Sequence, residues 1–123
     1  MPRQFDPQTL NQLATTEEIE IETYSATGQA HRIVIWIMVE DQNVYVRSWL
    51  GPKGRWYKEI TANPNGAIHM DGQRLPVHAV PVTDETIISR VSDNILRKYN
   101  NSSSAKGMVR EEILSTTLLL EPA

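Results

Sequence analysis

Chemically capable side chains concentrate in one stretch of the chain, where Tyr45, Arg47, Ser48, Trp49, Lys53, Gly54, Arg55, Trp56, Tyr57 and Lys58 fall within a few turns of backbone. Read as a strand, Val44 to Leu50 alternates, so that Tyr45, Arg47 and Trp49 share one face and Val44, Val46 and Ser48 the other. A guanidinium set among aromatic rings is costly unless its donors are paired. Arg47 therefore needs a partner, either a carboxylate of its own chain, such as one from the acidic first strand, or the phosphate of a bound cofactor. A charge-assisted bond of that kind contributes about 1.5 to 3 kcal/mol. The Gly51-Pro-Lys-Gly54 turn that follows stands between a strand and a helix, where backbone N–H groups add to an anion site or simply turn the chain. It lacks the Gly-Lys-Ser/Thr ending of a phosphate-binding loop.

Other chemistries find less support. His31, His69 and His78 are far apart and none has a partner at metal-ligand spacing, so they read as satisfied or exposed histidines and no metal is expected. No Gly-x-Ser-x-Gly elbow exists, and Ser48 has no base near it in sequence. Glu18, Glu20 and Glu22 read as a solvated strand face.

The elements that must position this cluster follow from periodicity. Residues 1–17 are expected to form an N-terminal helix, capped by Asp6 with Pro7 at its first position and Leu10 and Leu13 as a small apolar face. Glu18 to Ser25 alternates as a half-buried strand. Ile33 to Val39 is apolar on both parities, and the hairpin-length link to the next strand makes the sheet antiparallel. Its second face must meet a helix, a ligand or another subunit. A short helix is expected from Trp56 to Ala62, ended by Asn63-Pro64-Asn65-Gly66, with Gly66 free to take positive φ. Asp71-Gly72 joins a second hairpin, whose later strand carries Pro76 and Pro81 and so reads as an edge strand or one ending at a bulge. The barrel strands thus occupy 18–83. A helix over 84–100 places Ile87, Ile88, Val91, Ile95, Leu96 and Tyr99 at helical spacing. Residues 101–115 are expected to be a loop, mobile over the Asn/Ser-rich stretch Asn100 to Gly107, and 116–121 a closing strand. The sum is one α+β domain over residues 1–123: a six-stranded antiparallel split β-barrel with two or three covering helices.

Composition sets the remaining bounds. The chain has 123 residues, 40% of them hydrophobic and 22% charged, with a net charge of -3. Such a chain fills one core. Net acidity, with no run of Lys/Arg longer than two, disfavours nucleic acid as a partner. The absence of cysteine excludes disulfides, thiolate metal sites and thiol nucleophiles. No signal-like or membrane-length apolar run is present, which leads to the expectation of a cytoplasmic protein without a membrane partner.

The run Val44-Tyr-Val-Arg-Ser-x-x-Gly-x-x-Gly-x-Trp-Tyr57, then Ala62-Asn-Pro64, an Asp-Gly hairpin, Pro76-Val77 and a helix ending Arg97-Lys-Tyr99 resembles an uncharacterised family of small split-barrel proteins. More distantly it is similar to deazaflavin-dependent nitroreductases. The resemblance spans residues 18 to 121. It implies a homodimer that holds FMN or 8-hydroxy-5-deazaflavin in a cleft near the subunit boundary, an oxidoreductase activity on a small molecule, Arg47 and Ser48 near the cofactor phosphate, and Lys53, Trp56 and Tyr57 closing over it. Apolar walls would come from Trp36, Trp49 and Trp56. In one respect the chain departs from the deazaflavin enzymes: the segment Tyr24 to Arg32 holds a single Arg where they are rich in Gly and Lys/Arg. A cofactor-free barrel binding another small anionic ligand or a protein partner is the alternative.

Overall fold

The computed structural model describes residues 3–123; the first two residues of the expected N-terminal segment lie outside them. Helix α1 (Pro7–Thr15) starts as the sequence predicts, with the Asp6 carboxylate accepting from the Thr9 N–H at 2.7 Å. Then come β1 (Glu18–Tyr24), β2 (Ala30–Trp36), β3 (Met38–Glu40), β4 (Asn43–Val46), α2 (Arg55–Ala62), β5 (Asn65–Met70), β6 (Gln73–Pro81), α3 (Glu85–Lys98) and β7 (Leu118–Pro122). The fold is α+β, built on one curled antiparallel sheet in the order β2-β1-β5-β6-β7-β4-β3.

That sheet has seven strands, not the expected six, because the apolar run from Ile33 to Val39 is two strands. β2 ends at Trp36 on one edge of the sheet, and β3 begins at Met38 on the opposite edge. Only Ile37 lies between. One residue spans at most about 7 Å between its neighbours' Cα atoms, so the two edges must be brought together and the sheet must curl. The double apolarity of this run thus records a crossing from one edge to the other.

Ile37 pairs with neither edge, and its side chain is fully buried. Its backbone groups are satisfied from the end of α3: the Tyr99 hydroxyl accepts from the Ile37 N–H at 3.2 Å, and Lys98 Nζ donates to the Ile37 carbonyl at 2.6 Å. The same hydroxyl donates to the Glu17 carbonyl at 2.5 Å, and Lys98 also reaches the Leu13 carbonyl at 3.2 Å. Trp36 stacks on the Tyr99 ring, centroids 3.8 Å apart. Helix α3 is held for this task by Asp84 capping Thr86 and Ile87, and by burial of Val91 and Ile95.

Other expectations are corrected for physical reasons. β6 is the fourth strand of seven, interior although it carries Pro76 and Pro81. Even-numbered residues of β6 direct their backbone groups toward β7, as the bonds Ala123 N–H to Pro76 C=O and Val82 N–H to Thr117 C=O show, and odd-numbered ones toward β5, as Ala79 N–H to Pro64 C=O shows. Pro76 therefore lacks its donor only opposite Ala123, past the end of β7. Pro81 lacks its own only beyond the start of β5. Each proline sits where no ladder bond is lost. Gly66 lies within β5 and not at positive φ; a Cβ there would come 2.6 Å from the Glu22 carbonyl oxygen, so close approach of β1 is what requires glycine. The Asp71-Gly72 turn has φ of 51° and 75°, the tight hairpin that the dipeptide signals. The segment 101–115 is not a bare loop: it carries 3-10 turns at Gly107–Val109 and Glu111–Thr116 and buries Ala105, Met108 and Ile113. The closing strand starts at Leu118, two residues later than expected, because Thr116 and Thr117 finish the second of these turns.

Burial at the seam drives both of its titrating groups toward neutrality. Lys98 falls from 10.5 to about 8 through desolvation, partly opposed by Glu17, and Tyr99 rises to about 12 through desolvation. Between pH 8 and 10.5 the unfolded chain keeps a proton that folded Lys98 has released, so stability should climb with pH in that window. Above pH 10 the unfolded tyrosine ionises first and stability falls again. Urea midpoints measured across this range should rise and then fall for the native chain, while Lys98→Met should lack the rise; an unaltered profile in the variant would refute the assignment. Tyr99→Phe strands the buried Ile37 N–H and should lower stability by about 1 to 3 kcal/mol, read from the same urea curves.

Candidate functional site

β4 stops at Val46, four residues short of the expected strand, because the next backbone groups find other partners. The Ser48 N–H donates to Thr116 Oγ1 at 3.1 Å instead of to a neighbouring strand. Ser48 Oγ donates to the Gly51 carbonyl at 2.7 Å, and Gly51, at φ +67°, opens a 3-10 turn that ends at Gly54. The strict alternation is therefore lost after Arg47. Tyr45 and Arg47 remain together in a buried layer with α3 and Met108, whereas Trp49 turns outward and is 47% exposed.

Arg47 is 1% exposed, and among the described residues it meets no carboxylate. Its Nε donates to Thr117 Oγ1 at 2.8 Å. Nη1 donates to Ser92 Oγ at 2.8 Å and to the Met108 carbonyl at 3.1 Å. Nη2 donates to the Ile88 carbonyl at 2.7 Å. Neutral acceptors from α3, the Gly107–Val109 turn and Thr117 just before β7 thus orient the guanidinium without cancelling its charge. Desolvation alone lowers its pKa, to about 10, so it stays a cation near neutrality.

A cavity of about 610 Å³ opens beside this cation. Arg47, Ser48, Trp36, Trp49 and Trp56 all contribute to its lining, whereas Lys53 and Tyr57 do not. Lys53 is exposed on the 3-10 turn, and Tyr57 packs against the main core, edge-on to Trp56 at 6.3 Å. The cavity lining draws on β2 from His31 to Trp36, and on Trp49, Leu50 and the start of α2. The Trp49 indole is fixed: the Arg110 guanidinium lies 4.8 Å from its ring centroid, Arg110 also donates to the Trp49 and Gly107 carbonyls, and a Cβ on Gly107 would come 2.5 Å from the indole. Gly54 is equally constrained, since a Cβ there would meet Ser48 Oγ at 2.6 Å. No side chain caps α2, so its first N–H groups are open at the cavity margin, beside exposed Arg55.

The cavity also gathers Arg55 from the cluster around Arg47, and residues that the sequence alone did not single out as site candidates: Thr23, His31 and Ser104. Pairing of Thr23 with His31 across β1 and β2 puts both on the inner side of the sheet, with Ile21 and Ile33 beside them. The signal available was parity, because His31 shares the phase of Ile33 and Ile35. The acidic face of β1 is only partly solvated. Glu22 is 8% exposed, and its carboxylate takes His69 Nε2 at 2.6 Å, Arg74 Nη2 at 3.0 Å and the Tyr24 hydroxyl at 2.5 Å. The Arg74 bond is the main reason its pKa drops to about 2. No group of three His, Asp or Glu among the described residues is arranged to hold a metal ion, and no helix among them is long and apolar enough to cross a membrane.

The family profile described as "Uncharacterized protein conserved in bacteria (DUF2255)" matches residues 9–120. No curated protein matches the chain at a significant level. Among solved structures, the chain is similar to HutZ, the heme storage protein of Vibrio cholerae, at 11% identity and a TM-score of 0.73, over 98% of this chain and 91% of that one. A structure described as a domain-swapped dimer matches at 15% identity and 0.65, over 93% and 92% of the two chains. The F420-H2 dependent reductase FDR-A matches at 16% and 0.63, over 85% and 94%. At these identities the likeness is one of fold, shared with an F420-H2 dependent reductase as the motif order predicts.

Proposed function

This chain belongs to that bacterial family (DUF2255), and from the shape and charge of its own pocket we propose that it is a flavin- or deazaflavin-binding oxidoreductase domain. The observation that carries the reading is Arg47: a buried cation with no carboxylate partner among the described residues, at the wall of a cavity of about 610 Å³ lined by tryptophans. Such a charge creates a standing positive potential that an anionic ligand lowers in energy by entering. The volume is within the range of small-molecule sites, about 300 to 1,000 Å³.

The residues fit FMN or 8-hydroxy-5-deazaflavin in kind. Trp49, Trp56, Ile33 and Ile35 offer flat apolar surface to a ring system, and Arg55, with the uncapped start of α2, offers donors to an anionic tail. Arg47 and Ser48 act from behind: Arg47 through its charge, Ser48 by holding the Gly51 to Gly54 turn against the cavity. A bound flavin-type ring would supply hydride transfer, and the chain would supply binding, orientation and exclusion of water. The relatives named above include an F420-H2 dependent reductase and a heme storage protein, which supports a ligand-binding barrel and leaves this pocket's own chemistry to choose the ligand.

A second reading is favoured by one observation: the hydrogen bonds of Arg47 are largely complete within the chain. On that reading the barrel binds another small anion or a protein partner without a redox cofactor. Titration of the purified protein with FMN and with deazaflavin, followed by tryptophan fluorescence, separates the two. Trp49→Ala and Arg55→Ala alter exposed side chains, and each should weaken the bound cofactor about tenfold or more, the loss expected for roughly 1.5 to 3 kcal/mol. Refusal of both cofactors at high micromolar concentration would leave only the second reading.

We also propose that the protein is a homodimer, with the second copy covering Ile33, Val34 and Leu50, which are 44%, 52% and 67% exposed at the cavity mouth. Light scattering should give twice the chain mass, and Val34→Glu should halve it; a monomer in the native chain would end this proposal.

A further inference from the structure

His31 has an arrangement that the flavin reading does not use. Its Nδ1 lies 2.9 Å from Glu59 Oε2 and 3.2 Å from Oε1. Glu59 Oε1 also accepts from the Thr23 hydroxyl at 2.7 Å. The carboxylate is largely buried, with its side chain 12% exposed, and the imidazole is 25% exposed. An ionised carboxylate can only accept, so the proton of the neutral ring is fixed on Nδ1 and the lone pair on Nε2. Nε2 has no partner among the described residues, although His31 is part of the cavity lining.

The carboxylate that faces the ring is held in its charged form. Burial by itself would raise the pKa of Glu59, but the bonds from Thr23 and His31, with the charges of His31 and Arg55, hold it below the ordinary carboxylate value. Across the ladder β1 contributes Thr23, which is neutral, and Glu22 and Tyr24 on either side of it are engaged with His69 and Arg74. Arg32, next to His31 on β2, is paired with Glu20. Glu18 contributes to the same cavity from the far end of β1, opposite Trp36. Arg55 on α2 and Arg47 line the same cavity without a salt bridge among the described residues, and both oppose protonation of the ring until an anion enters.

We propose that His31 is a proton-carrying contact of the pocket, positioned by Glu59 and Thr23, whose Nε2 takes up a proton from water as an anionic group binds and then donates to that group. The balance is simple: one proton moves from solvent to Nε2, Nδ1–H stays on Glu59, and the imidazolium faces the ligand anion. This extends the flavin reading by naming the group that senses the anion, but it requires only an anion and not a redox ring.

The experiment follows the His31 imidazole by NMR across about pH 5 to 9, for the protein alone, with saturating FMN, and with inorganic phosphate. With an anion bound, the His31 titration should move up by at least about half a unit, and Nδ1 should carry the proton at high pH. In parallel, FMN affinity is measured for the native chain and for His31→Gln. Their ratio cancels the titration of the ligand's own phosphate, and it should favour the native chain at least about twofold more at about pH 6 than at about pH 8. Glu59→Gln should shrink that ratio and remove the tautomer preference. If FMN binds and the His31 titration does not move, this inference is overturned and the flavin reading stands. If FMN and the deazaflavin are both refused and phosphate moves the titration, the flavin reading falls and His31 keeps its role. Neither anion moving His31 overturns the inference outright.

Discussion

The chain leaves one edge of its sheet at Trp36 and enters the other at Met38, and every feature of the pocket depends on that single-residue crossing. A flat sheet could not bring its edges so near, so the curl is imposed by connectivity before any side chain is considered. The crossing residue then poses a problem: Ile37 is buried, yet neither its N–H nor its C=O has a ladder to join. The end of α3 solves it with a phenol and an amine, and this is why that helix must lie across the barrel. Once α3 is placed, its Ile88 carbonyl and Ser92 hydroxyl become the acceptors that hold Arg47.

Arg47 links this scaffold to the cavity. Its bonds reach α3, the Gly107–Val109 turn and Thr117 just before β7, so one side chain fixes three segments that are remote in sequence. Since all these acceptors are neutral, the fold gains geometry and retains the charge. A carboxylate in the same place would have neutralised that charge and erased the field in the pocket. That choice of partner types is the strongest physical reason to connect this barrel with an anionic ligand, and it owes nothing to the relatives.

Much of this was legible in the sequence where a local rule acts alone. Asp6-Pro7, Asp71-Gly72 and the spacing of Val91 and Ile95 each specify their element without help from distant residues. The cluster around Arg47 was legible too, since Trp49, Trp56 and Ser48 stand on one cavity with it. What could not be read depends on pairings between remote segments. An apolar run over Ile33 to Val39 looks the same whether one sheet edge receives it or two. Pro76 and Pro81 argue for an edge until the ends of β5 and β7 are known to fall just short of them. Residues 101–115 are polar in composition, and the side chains that the fold buries among them, Ala105, Met108 and Ile113, are too sparse between Asn, Ser and Glu to announce their burial. Lys53 and Tyr57 were placed near the ligand by motif position alone, and the 3-10 turn and the phase of α2 carry them away from the cavity wall.

The two half-buried histidine–carboxylate pairs show how position decides between structure and function. His69 and Glu22 sit between adjacent interior strands, and the carboxylate also binds Arg74 and Tyr24, so its accepting positions are saturated by the chain. That network is closed, and its purpose is to let an acidic residue lie in the middle of a sheet. His31 and Glu59 have the same chemistry at the sheet's outer edge, where β2 has a neighbour on one side only. There the carboxylate meets Thr23 and one ring nitrogen, and the other nitrogen is left over. Identical residue types thus form a strut at one site and a free valence at the other, and only the free valence stands at the pocket.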